Sequence, residues 1–135
     1  DKPGQAAEIF GSLAQFSINV DMIVQSSSIN QEATDITFTI PETDLLTAEK
    51  TIKKIQQKIG FNKFTSDTNV VKISVVGNAM RNQSGMANIM FETLAMNQIN
   101  IHVISTSEIK ISVLISSDYC ELAMRSLHSA FGLDI

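Results

Sequence analysis

The 135-residue chain contains few of the residues that crosslink a protein or anchor it in a bilayer. Its single cysteine, Cys120, excludes an internal disulfide and suits a reducing compartment. No apolar run approaches the roughly 20 residues that span a bilayer. Basic residues are also few, 10 against 14 acidic ones, so no basic stripe is available for nucleic acid. We therefore expect a cytoplasmic protein that binds neither a membrane nor nucleic acid.

The sequence also lacks the motifs of common enzyme chemistry. It has no Gly-rich phosphate-binding loop and no nucleophile elbow around a serine. His102 and His128 have no second histidine, cysteine or acid at metal-ligand spacing, which argues against a metal site. We expect no catalytic residue, no metal and no cofactor in this chain.

An internal repeat organises the 44% of residues that are hydrophobic. With Gly4 aligned on Gly85, the matching pairs include Leu13 with Leu94 and Ile18-Asn19-Val20 with Ile99-Asn100-Ile101. We interpret the repeat as two copies of one supersecondary unit, residues 1–68 and 69–135.

Hydrophobic periodicity predicts the same elements in both copies. The predicted helices cover 5–16, 45–59, 86–96 and 118–131, and the predicted strands cover 18–24, 34–40, 61–66, 70–76, 99–105 and 108–115. This order predicts an α+β fold of two ferredoxin-like βαββαβ domains in tandem, each an antiparallel sheet with helices on one face. The first copy lacks its opening strand and the second its closing strand, so we expect the natural protein to extend upstream of Asp1.

Two segments before predicted helices are candidates for ligand binding, Asp1-Lys2-Pro3-Gly4 and Asn82-Gln83-Ser84-Gly85. A glycine at a helix N-terminus lets free N–H groups face a small anion such as an α-carboxylate. Asp1 and Gln25 are suitable types to hold the ammonium of the same amino acid. Ordinary helix capping is the alternative, which the local sequence favours.

The polar run Ser105-Thr106-Ser107-Glu108 lies between two apolar segments. Hydroxyl groups at a strand end can bind a polar ligand, but they also satisfy the backbone of a hairpin. The residues alone favour the turn.

Longer motifs resemble the regulatory region of aspartate kinases, a tandem pair of ACT domains. The resemblance covers essentially the whole chain. The motifs that carry it include Asp1-Lys2-Pro3-Gly4, Ile18-Asn19-Val20-Asp21-Met22, Val75-Val76-Gly77 and Ile104-Ser105-Thr106-Ser107-Glu108-Ile109. A generic pair of amino-acid-binding ACT domains is the alternative, either as a stand-alone sensor or as a regulator without a kinase partner.

The resemblance implies a function and a set of site residues. Family members inhibit the ATP-dependent phosphorylation of L-aspartate when lysine, threonine or both bind between ACT domains of a homodimer. The catalytic domain, with its ATP and magnesium, would lie upstream of this chain or in another subunit. One ACT domain is inserted in the other, which would account for both missing strands. By position, the effector contacts would be Asp1, Gly4, Ala6 and Gln25, with Asn100 and Ile101 from the partner chain, and Ser107 and Glu108 would mark a second effector region.

Overall fold

The alternating hydrophobic periods become four α-helices and five strands in the computed structural model, which describes residues 4–27, 34–61, 63–77 and 83–132. The elements are α1 (Gln5–Gln15), β1 (Ile23–Ser27), β2 (Thr34–Phe38), α2 (Leu45–Ile59), β3 (Val70–Val76), α3 (Gln83–Met96), β4 (Val103–Thr106), β5 (Lys110–Ser116) and α4 (Cys120–Ala130). The chain divides into two compact units, Asp1–Ser66 and Asp67–Ile135. The fold is of the predicted α+β class.

The second unit contains a three-stranded antiparallel sheet in the order β3-β5-β4. Its two outer strands run parallel to each other on either side of β5, which is the split βαβ arrangement of ferredoxin-like folds. Alternate residues of β5, Ile111, Val113 and Ile115, are fully buried and pack with residues of α3 and α4 such as Leu94 and Leu127. Both helices therefore cover one face of this sheet.

The first unit pairs β1 with β2 in an antiparallel hairpin and packs it with α1 and α2. Leu13 of α1 is fully buried beside Ile18, Ala48 and Ile52. The rings of Phe10 and Phe38 meet edge to face, with centroids 5.2 Å apart and an interplanar angle of 83°. Leu13 and Leu94, which the repeat aligns, hold the same position in their cores.

The ends of α1 and α3 repeat one backbone device. Ser17 and Gln98, which the repeat also aligns, both take a left-handed conformation, with φ of 59° and 57°. The next amide then turns back to the helix: the Ile18 N–H donates to the Leu13 carbonyl at 3.2 Å, and the equivalent bond from Ile99 is 2.9 Å long. These are αL helix ends formed without glycine.

The structure corrects four predicted elements. The segment 61–66 forms no strand among its described residues; Phe61 and Phe64 instead pack against the core of the first unit. The strands predicted from 18 and 99 begin only at Ile23 and Val103, because the chain first has to leave the left-handed helix ends. Helix α3 begins at Gln83, so Gly85 lies inside the helix, whereas Gly4 precedes α1.

Candidate functional site

The start of α1 is a helix N-terminus that follows a glycine. Gly4 is the N-cap residue in a left-handed conformation, with φ of 94°, and no side chain among the described residues caps the helix. Its carbonyl accepts the Glu8 N–H at 2.9 Å, so the first turn is formed. A Cβ added at Gly4 would meet no atom of the described residues within 4 Å. Glycine is therefore favoured here by the backbone conformation, and not by crowding from those residues.

The other predicted site residues of the first unit lie close to Gly4 in sequence or on the β1–β2 hairpin. Ala6 is half-buried in the first turn of α1, and Gln25 lies exposed on β1, opposite Ile36 in the antiparallel register. Asp1 lies outside the described residues.

The remaining candidates belong to the second unit. Asn100 and Ile101 follow the end of α3; Asn100 is exposed, and Ile101 packs against the core. The Ser107 N–H donates to the Lys110 carbonyl at 2.7 Å and closes the β4–β5 hairpin, and Glu108 is an exposed residue of that turn. Ser107 thus takes the turn role that the residues alone favoured.

Sequence reasoning missed a groove of roughly 300 Å³ between the C-terminal end of α1 and the first half of α2. It is lined by Ser12, Gln15, Phe16, Thr47, Lys50, Thr51, Lys54 and Ile55. The sequence signal was the cluster of lysines on α2, which is also typical of an ordinary solvated helix face.

The described ranges contain neither a candidate metal site nor a candidate membrane span. No group of three or more histidine, cysteine, aspartate or glutamate residues there could hold a metal ion. Every helix in those ranges is too short or too polar to span a bilayer.

A family model for the ACT domain matches residues 1–56 and 73–131. The chain belongs to the ACT-domain family. An aspartokinase of Pseudomonas aeruginosa is 47% identical over 134 residues, which is 99% of this chain and 32% of the relative. The present ACT chain therefore spans about a third of the length of the curated relatives it matches.

Solved structures agree with this assignment. A chain from a structure of aspartokinase alpha and beta subunits has a TM-score of 0.89 and 46% identity; the match covers 98% of this chain and 86% of that one. The ligand-free regulatory subunit of aspartate kinase from Thermus thermophilus has a TM-score of 0.87 and 32% identity, over 96% of this chain and 85% of that one. The resemblance to aspartate kinase regulatory regions is thus confirmed, and with it the expected tandem ACT fold.

Proposed function

We propose that this ACT region is a cytoplasmic amino-acid sensor that binds lysine, threonine or both and inhibits the kinase portion of an aspartokinase. The observation that supports this proposal is the start of α1, which begins after Gly4 and which no side chain of the described ranges caps. The chain itself is expected to transfer no phosphate.

The helix start suits an amino acid because its groups are complementary to a zwitterion. First-turn N–H groups and the positive end of the helix dipole attract the α-carboxylate. Asp1 and the Gln25 amide are the residue types that accept hydrogen bonds from the ammonium. The ligand class itself follows from the family resemblance.

The partner protomer would complete this site with Asn100 and Ile101, and Ser107 and Glu108 would serve a second effector region. Two surfaces of the second unit support pairing with another copy. Strand β4 lies at an edge of its sheet with Ile104 47% exposed. Helix α3, in which Glu92 is the one charged residue, leaves Met96 83% exposed. Apolar side chains on a sheet edge and on a weakly polar helix favour association.

Inhibition would be a population shift. An effector held between two protomers stabilises the dimer geometry that keeps the kinase portion inactive, and only to the extent that it binds that geometry more tightly. Typical allosteric coupling is about 1–3 kcal/mol, a factor of roughly 5 to 150 in affinity.

Calorimetry of the chain against a panel of amino acids tests this function, with Gly4→Ala as the decisive variant. We expect the chain to bind lysine or threonine with micromolar-to-millimolar affinity. Gly4→Ala should bind at least tenfold more weakly, because a Cβ at φ of 94° strains the backbone at the start of α1. Gly60→Ala is the matched control, since Gly60 ends α2 at φ of 74°. It should lose similar stability and keep its affinity. A folded chain that binds none of the amino acids would contradict the proposal.

A further inference from the structure

Helix α2 concentrates positive charge on an otherwise acidic chain. Four of the ten basic residues, Lys50, Lys53, Lys54 and Lys58, lie on this one helix. The Lys58 ammonium pairs with the Glu8 carboxylate of α1 at 2.8 Å. The other three lysines are exposed and have no acidic partner in the described part of the chain. Like charges four residues apart on a helix repel one another, so the ammonium groups of Lys50 and Lys54 repel each other.

Two of these lysines, Lys50 and Lys54, line the groove between α1 and α2. The groove also contains the Phe16 ring, which is 56% exposed at the end of α1. Thr51 is buried there, and its hydroxyl donates to the Thr47 carbonyl at 2.8 Å. A groove lined by an exposed aromatic ring and two ammonium groups fits an acidic surface that carries an apolar side chain.

The groove is linked to the proposed effector site through α1. This helix begins beside Gly4 and ends at Phe16, and its 11 residues span about 16 Å. The Glu8–Lys58 ion pair and the buried Leu13 attach it to the first unit along its length. A small sliding of α1 against α2 would therefore change the width of the groove, which is how packed helices commonly transmit a signal.

We propose that the α1–α2 groove is the surface on which the kinase portion docks, through an acidic segment of that portion. This proposal rests on the proposed function, because α1 lines the groove at one end and begins at the proposed effector site at the other. About two thirds of the length of the curated relatives lies outside the matched region, so the kinase portion is the partner this regulatory region has to reach. The net charge of +2 from Lys50 and Lys54 assigns the acidic character to that partner.

Charge reversal in an aspartokinase holoenzyme that contains this region tests the docking. We expect Lys50→Glu with Lys54→Glu to raise the effector concentration for half-inhibition at least fivefold, while the chain alone binds the effector with unchanged affinity. The control variant, Lys63→Glu with Arg125→Glu, changes the charge by the same amount at exposed positions outside α2. Its effector concentration for half-inhibition should stay within twofold of the wild-type value. Unchanged inhibition would overturn the proposal. Loss of effector binding by the groove variant would also overturn it, because the groove would then be part of the effector site. Dissociation of a dimer of the chain would overturn it too, because the groove would then bind a second copy.

Lysine acetylation footprinting tests the same contact without any effector. Labelling of Lys50 and Lys54 by acetic anhydride should fall at least fivefold in the holoenzyme relative to the chain alone, whereas Lys63 should react equally in both. Equal labelling of all three lysines would refute the docking. A chain that binds no amino acid but shows this protection would refute the effector proposal and leave the docking surface standing.

Discussion

Ser17 and Gln98 take a backbone conformation that costs a residue with a Cβ about 1–2 kcal/mol. Both close a helix, and both keep the amide that follows them bonded to the helix. Glycine at these positions would remove the steric cost in the folded state. Its greater conformational entropy in the unfolded state would offset part of this gain in stability.

We therefore expect Ser17→Gly and Gln98→Gly each to raise the free energy of unfolding by about 0.5–1 kcal/mol. Ala14→Gly is the control, because Ala14 is exposed within α1 and glycine in a helix costs about 1 kcal/mol. Urea denaturation measures all three. A loss of stability in Ser17→Gly would show that the serine makes a compensating interaction.

The local backbone structure at single residues of the candidate site could be predicted from the sequence, but the arrangement of those residues in space could not. Gly4 could be placed at a helix mouth because glycine before an apolar stripe is a local signal, and the turn at Ser107 followed from a polar run between strands. The groove beside Phe16 was not predictable, since it forms between two helices that are distant in sequence.

At the scale of elements, a hydrogen-bonded pair of serines joins two strands in the sheet of the second unit. Ser74 of β3 and Ser112 of β5 face each other in register, with their hydroxyl oxygens 2.7 Å apart, and Ser112 is buried. A buried hydroxyl without a partner costs about 1–3 kcal/mol, so each serine satisfies the other.

Ser112→Ala and Ser74→Ala should each lower the free energy of unfolding by about 1 kcal/mol, and the double variant by less than their sum. The reason is that the second alanine removes the group that the first left unpaired. Ser105→Ala, on the exposed side of the same row, should change stability by less than about 0.5 kcal/mol. Strict additivity in a double-mutant cycle would argue against the pair.

The helices were predictable because their apolar stripes repeat every three to four residues, and α1, α2 and α4 bury those stripes. The segment 61–66 was wrongly predicted as a strand. Alternation of apolar and polar residues indicates which way side chains point, but a strand also needs a neighbouring strand to which its backbone can hydrogen-bond. Its Phe61 and Phe64 bury themselves without one.

At the scale of the whole molecule, the buried side chains form two clusters that share no residue. Leu13 and Leu94 are fully buried, one in each, at positions that the repeat makes equivalent. The duplication was evident in the sequence because the two cores use the same residue types at the same spacing.

Leu13→Ala and Leu94→Ala should each lower stability by about 3–5 kcal/mol through the lost contacts and the cavity left behind. Hydrogen exchange should locate the loss of protection in α1 and α2 for the first variant and in α3 and β5 for the second. Leu46→Ala, at a position 75% exposed, should change stability little. Identical exchange patterns for both core variants would contradict two separate cores.

The two duplicated glycines no longer face the same selection. Gly85 sits in a helical stretch, a backbone conformation that suits any residue with a side chain, whereas Gly4 holds a left-handed torsion that favours glycine. In descendants of this sequence the backbone therefore favours glycine at position 4 and sets no such preference at position 85.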